Sequence, residues 1–128
     1  MRLARTDEEF FASPPTRYVA GDSYVYWCRE PGFYGSAAWG RPDEEQARRL
    51  VSLWEVSLRP DSADARASFV DLRGVEGVDH LSYQPAADFF RTRDLPARTR
   101  VTRQAIVRPA GFAGALVGQK AASIVVDE

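Results

Sequence analysis

The chain has one cysteine, one histidine and one lysine, and each scarcity closes off chemistry. A single Cys28 excludes an internal disulfide and any multi-cysteine metal site. A single His80 is a poor anchor for a metal ion. It joins Cys28 in a dyad only if the fold brings the two together. The one lysine, Lys120, stands against sixteen arginines, a bias that points to a GC-rich genome rather than to a function. No apolar run approaches the ~20 residues of a membrane helix. The opening "MRLARTDEEFFASPP" is charged and lacks the apolar stretch of a signal peptide. A cytoplasmic protein without membrane contact is expected. Phosphate-binding fingerprints are also missing: "GFAGALVG", with Gly111, Gly114 and Gly118, has neither the GxGxxG spacing nor a Lys-Ser/Thr ending. No cofactor and no metal are expected.

What remains is ordinary globular composition. Of 128 residues, 45% are hydrophobic and 27% charged, enough for one domain with a real core. The net charge of −1 hides an asymmetry. Residues 1–90 carry 10 Arg against 15 acids, whereas residues 91–128 carry 6 Arg and 1 Lys against 3. The whole chain has no basic footprint, so direct binding to nucleic acid is not expected. The Arg-rich stretch 91–108 is either a solvated face or a contact for an acidic partner.

Along the chain, residues 1–17 read as an N-terminal arm closed by Pro14-Pro15, and residues 18–128 as a single domain. "SYVYWCRE" and "FYGSAAWG" read as a hairpin over 23–40, turned at Pro31-Gly32 and ended by Gly40. "RPDEEQARRLVSLWEVSL" is the clearest helix. Pro42 suits its first turn, and Asp43, Glu44 and Glu45 complement its positive end. Ala47, Leu50, Val51, Trp54 and Leu58 make one apolar stripe. After the loop "RPDSADAR", "ASFVDL" reads as a strand buried on both faces, since Phe69 and Val70 are adjacent. A second helix is expected over about 80–92, with Pro85 near its first turn and Phe89 and Phe90 as anchors. "RVTRQAIVR" reads as a strand whose buried part is Ala105, Ile106 and Val107. The Gly/Ala segment suggests a weak helix, and "SIVV" a last strand. The expected fold is α/β: a mixed, mostly parallel sheet of about five strands with helices packed on it and a β-hairpin near its start.

The stretch "FVDLRGVEGVDHLSYQPAADFF" carries two acids eight residues apart, Asp71 and Asp79. A phosphate-accepting receiver needs an acidic pair after its first strand and a lysine after a late one. Here the first strand ends "WCREPG", and Lys120 lies in the Gly/Ala segment. An acid/base pair has no nucleophile or oxyanion site beside it. The plain reading is that Asp71 ends a strand and Asp79 caps the second helix. Cys28 reads as a buried structural thiol.

In element order and local motifs the chain resembles STAS domains, the fold of bacterial anti-sigma-factor antagonists. The features are a hairpin whose second strand ends in Gly before an acidic helix start ("WGRPDEEQARRL"), and a strand ending in Asp followed eight residues later by an Asp that opens the next helix ("VDLRGVEGVDHLS"). A later strand with a Pro-containing turn ("QAIVRPAG") completes them. The match covers roughly 23–126. It is similar, too, to STAS-like N-terminal modules of AraC-type transcription regulators, where a helix-turn-helix region follows. The family's phosphorylated serine comes directly after the second Asp. Here His80 and Leu81 stand there, with Ser82 one residue further on. The family's C-terminal helix has no counterpart after "IVVDE".

The resemblance implies a STAS-like regulatory domain in bacterial transcription control without the kinase switch, acting by protein contact or ligand sensing. Its partner is a protein or a following domain, and a homodimer is compatible. The partner-facing residues it implies, together with the Arg-rich stretch, are Asp79, His80, Leu81, Ser82, Arg103 and Arg108. The rival reading is a small enzyme or ligand sensor with a pocket lined by Trp27, Tyr34 and Trp39, aromatics that otherwise pack inward.

Overall fold

The computed structural model describes residues 1–57, 66–77, 80–92, 103–108 and 123–127. Seven strands form one mixed sheet in sequence order: β1 (Arg2–Leu3), β2 (Arg17–Ala20), β3 (Tyr24–Glu30), β4 (Phe33–Gly40), β5 (Ala67–Val75), β6 (Arg103–Arg108) and β7 (Ser123–Asp127). Strands β4 to β7 run parallel, β1 is parallel to β2, and β3 is antiparallel to both its neighbours. Three helices are described: α1 (Asp7–Ala12), α2 (Glu44–Ser57) and α3 (His80–Thr92). The α/β class and the mostly parallel sheet agree with the sequence reading. The strand number does not: β1 falls within residues 1–17, read as an arm, and no strand is read at Arg17–Ala20.

The first seventeen residues are built into the fold. Thr6 caps α1, its hydroxyl accepting from the Glu9 amide at 3.0 Å, while the Glu9 carboxylate accepts from the Arg5 amide. That capping places Phe10, fully buried, edge-on against Tyr26 and Tyr34.

The hairpin β3–β4 turns where expected, with Gly32 at φ +84°, and β4 ends at Gly40 at φ +68°. Helix α2 starts one step later than read. Asp43 is its cap, since Oδ1 accepts from the Gln46 amide at 2.8 Å, and Pro42 precedes the helix. Leu50, Val51 and Trp54 face the sheet as the stripe predicts, with Leu53 and Ser57 buried beside them. Leu58 lies outside the described residues.

All three helices pack on one face. Phe10 meets Tyr26 and Tyr34, Ser57 bonds the Tyr26 hydroxyl, and Trp54 bonds Ser36. Trp54 also stacks at a tilt on Phe89 of α3, their centroids 5.5 Å apart. Successive parallel strands laid down in one direction put their right-handed crossovers on the same side. Along each strand, inward residues alternate with residues on the opposite face. Tyr24, Tyr26, Cys28, Tyr34, Ser36, Val70, Leu72 and Ile106 point inward and are buried. Val25, Trp27, Ala37, Phe69, Ala105 and Val107 point the other way and are half-exposed. Among the described residues no helix covers that second face.

Two sequence readings are corrected here. Phe69 and Val70 are not both enclosed, because only one face carries helices: Val70 is buried and Phe69 is not. The same reason leaves only Ile106 of the three apolar β6 residues fully covered. No described helix is long and apolar enough to cross a membrane.

Candidate functional site

Asp71 does not end its strand. β5 continues to Val75, held by pairing of Gly74 and Val75 with Trp39 and Gly40 of β4. Asp71 therefore sits mid-strand on the uncovered face, where its carboxylate accepts from the Arg73 amide and guanidinium at 2.8–3.0 Å. The Arg73 side-chain bonds hold its carboxyl below the usual carboxylate range, against the opposing effect of burial. With the Arg73 guanidinium half-exposed, the pair is screened and contributes at most about 1 kcal/mol. Its role is to satisfy a charge on the sheet surface. The strand-end Asp on which part of the STAS resemblance rests is thus displaced from the strand end.

The expected contact set of Asp79, His80, Leu81, Ser82, Arg103 and Arg108 does not stay together. His80 and Leu81 open α3 and face solvent, Leu81 at 60% exposure. Ser82 turns inward and is 3% exposed. One helical step rotates a side chain by about 100°, so neighbours in a first turn divide between solvent and core. Arg103 begins β6 opposite Ala67, the first residue of β5, whereas α3 follows the last. Nine residues of β5 at ~3.3 Å rise put Arg103 roughly 25 Å of strand away from that end. It does not join the others. Arg108 lies at the far end of β6, its side chain outside the described residues, as is Asp79.

A residue the sequence reading placed in the core is exposed at the sheet end where α3 begins. Trp39 is 41% exposed at the end of β4, paired with Gly74. A Cβ on Gly74 would stand 3.0 Å from that of Trp39, so the glycine makes room for it. Trp39 and Leu81 are two of the four large hydrophobic residues exposed in the described chain, and both lie at the carboxyl ends of the parallel strands. Arg41 is exposed at the same end, its guanidinium near Gly77. The signal available in the sequence was only an aromatic directly before Gly40, which is also what an inward strand aromatic looks like.

The rival pocket of Trp27, Tyr34 and Trp39 does not form. Tyr34 is in the core under Phe10. Trp27 lies flat across Gly35 on the uncovered face, where a Cβ on Gly35 would meet the indole at 2.3 Å. Alternation alone separates them. The Cys–His dyad is also excluded by topology. Cys28 is buried opposite Tyr34, near the start of β4, and donates to the Glu30 carbonyl. His80 follows the far end of β5. Among the described residues no cluster of three or more His, Cys, Asp or Glu is placed to hold a metal ion.

The burial of Ser82 carries a prediction. A kinase must reach the serine hydroxyl, and this one is under the first turn of α3. Incubating the folded chain with a serine kinase of the anti-sigma type leaves the intact mass unchanged at Ser82. Stoichiometric phosphate there, on protein that is still folded, contradicts the placement.

No protein-family model, no curated protein and no solved structure matches this chain.

Proposed function

We propose that this chain is a non-enzymatic regulatory domain that works by contact with a protein partner, through the sheet end formed by Trp39, Arg41, His80 and Leu81. The observation that carries the reading is that two large apolar side chains, Trp39 and Leu81, are exposed at the sheet end where β4 finishes and α3 begins. Exposed Trp and Arg side chains are enriched at contact centres. Mid-helix Pro85 lacks the amide that would bond the Leu81 carbonyl, so the first turn of α3 is held less by its own ladder than the rest. That leaves it free to adjust on binding. The resemblance to STAS domains supports the same reading, through the hairpin ending at Gly40, the acidic start of α2 and the order of elements. It suggests a cytoplasmic role in transcription control.

The test is affinity against the products of neighbouring genes, expressed singly and titrated by calorimetry. The expected result is one product that binds the parent and loses tenfold or more in affinity to Leu81→Asp and to Trp39→Asp, each still folded by circular dichroism. Equal affinity of parent and variants, or no binding by any product, contradicts the reading.

A further inference from the structure

The middle of the uncovered sheet face is a second surface, away from the Trp39–Leu81 end. Tyr18, Trp27, Phe33 and Phe69 lie half-buried on it. We propose that this face is a dimer interface, on which a second copy of the chain lays the same face.

Three observations lead there. Strands β4 to β7 run parallel, and parallel sheets are almost always covered on both faces. The three described helices all take the other face. The bare face is also continuous. Register sets Tyr18, Trp27, Gly35, Phe69 and Ala105 in one row across five strands. The Trp27 indole lies over Gly35, so the row is aromatic from β2 to β5. Finally, the face is large. Strands β3 to β7 alone cover roughly 550 Å² in plan, at ~4.8 Å between strands and ~3.3 Å per residue. With β2 and the relief of the side chains, this approaches the ~800 Å² that each member of a stable pair buries. Apolar patches of that size mark interaction sites.

The face suits its own copy. Trp27, folded over Gly35, keeps the middle level, so a second sheet can lie on it at the ~10 Å of face-to-face packing. The charges match under a two-fold axis along the aromatic row. Such an axis lays each strand over its own copy, reversed. Arg103, two residues before Ala105, then stands over Val107 of the other copy, and Val107 pairs with Asp71. Each exposed Arg103 gains a carboxylate, and each Asp71 gains a second cation beside Arg73. This match of opposite charges favours a second copy over an unrelated apolar surface.

Sedimentation equilibrium of the full chain, at micromolar concentration and above, tests the assignment, since interfaces of this size bind at micromolar strength or better. A dimer is expected. Phe69→Lys, checked for folding by circular dichroism, puts a charge in the aromatic row and is expected to raise the dimer dissociation constant about tenfold or more. Arg103→Glu, at an exposed position, sets a like charge over Asp71 and is expected to weaken the dimer by about tenfold. Leu81→Asp is expected to leave it unchanged. A monomeric parent overturns the proposal. So does a dimer that folded Phe69→Lys or Arg103→Glu leaves intact, or one that Leu81→Asp dissolves.

Discussion

Trp54→Ala is expected to destabilise the domain by ~3–5 kcal/mol, the range for removing a large aromatic from a packed core. Trp54 is 3% exposed and spans the gap between the sheet and α3. Its indole N–H donates to Ser36 Oγ at 3.0 Å, and Ser36 is itself 1% exposed on β4. The substitution removes this bond to a buried hydroxyl as well as the ring, which adds about 1 kcal/mol. Trp54→Phe separates the two effects by keeping most of the volume. For a domain whose whole stability is about 5–15 kcal/mol, the alanine variant loses a large share. Urea denaturation measures it. A loss under about 1 kcal/mol contradicts the placement of Trp54 between α2, α3 and the sheet.

Phe10→Ala is expected to cost a similar ~3–5 kcal/mol. Phe10 has no exposed surface and makes edge contacts with Phe11, Tyr26 and Tyr34, at centroid distances of 5.0, 5.6 and 6.5 Å. Tyr26 is the residue whose hydroxyl bonds Ser57, so Phe10 lies against the same aromatic that α2 grips. Burial pushes the Tyr26 phenol up, which keeps it a neutral hydrogen-bonding group at any ordinary pH. If residues 1–17 were a loose arm, the variant would unfold at nearly the parent urea midpoint. The structure predicts a large shift of that midpoint.

The arm was misread for a definable reason. Helix α1 has six residues, too few for a 3.6-residue period to show, and β1 has two. A usable signal was present, however, in "TDEE", a Thr followed three residues later by Glu, which is the pattern of a capping box. The hairpin and α2 were legible because their signals are local: the turn glycines Gly32 and Gly40, both at positive φ, and an apolar stripe along a helix of fourteen residues. Asp71 was harder. "LRGV" is poor strand sequence, and β5 extends through it because β4 pairs with it, a tertiary effect on propensity. The inward or outward sense of Trp27, Trp39 and Phe69 depends on which sheet face carries helices. Adjacent residues do not encode that choice, since it follows from strand order. The contact surface was half legible. His80 and Leu81 came from comparing the chain with a family pattern, whereas Trp39 needed the parallel pairing of β4 with β5.

The central claim is that the Trp39–Leu81 end of the sheet, rather than the middle of the uncovered face around Trp27 and Phe69 or Arg103, meets the partner. Hydroxyl-radical footprinting of the domain, alone and in complex with the bound gene product, tests it directly. The account predicts that Trp39, His80 and Leu81 become protected in the complex while Trp27 and Phe69 keep their free reactivity. Protection of Trp27 and Phe69 with Trp39 and Leu81 unchanged would place the partner on the open face and contradict it.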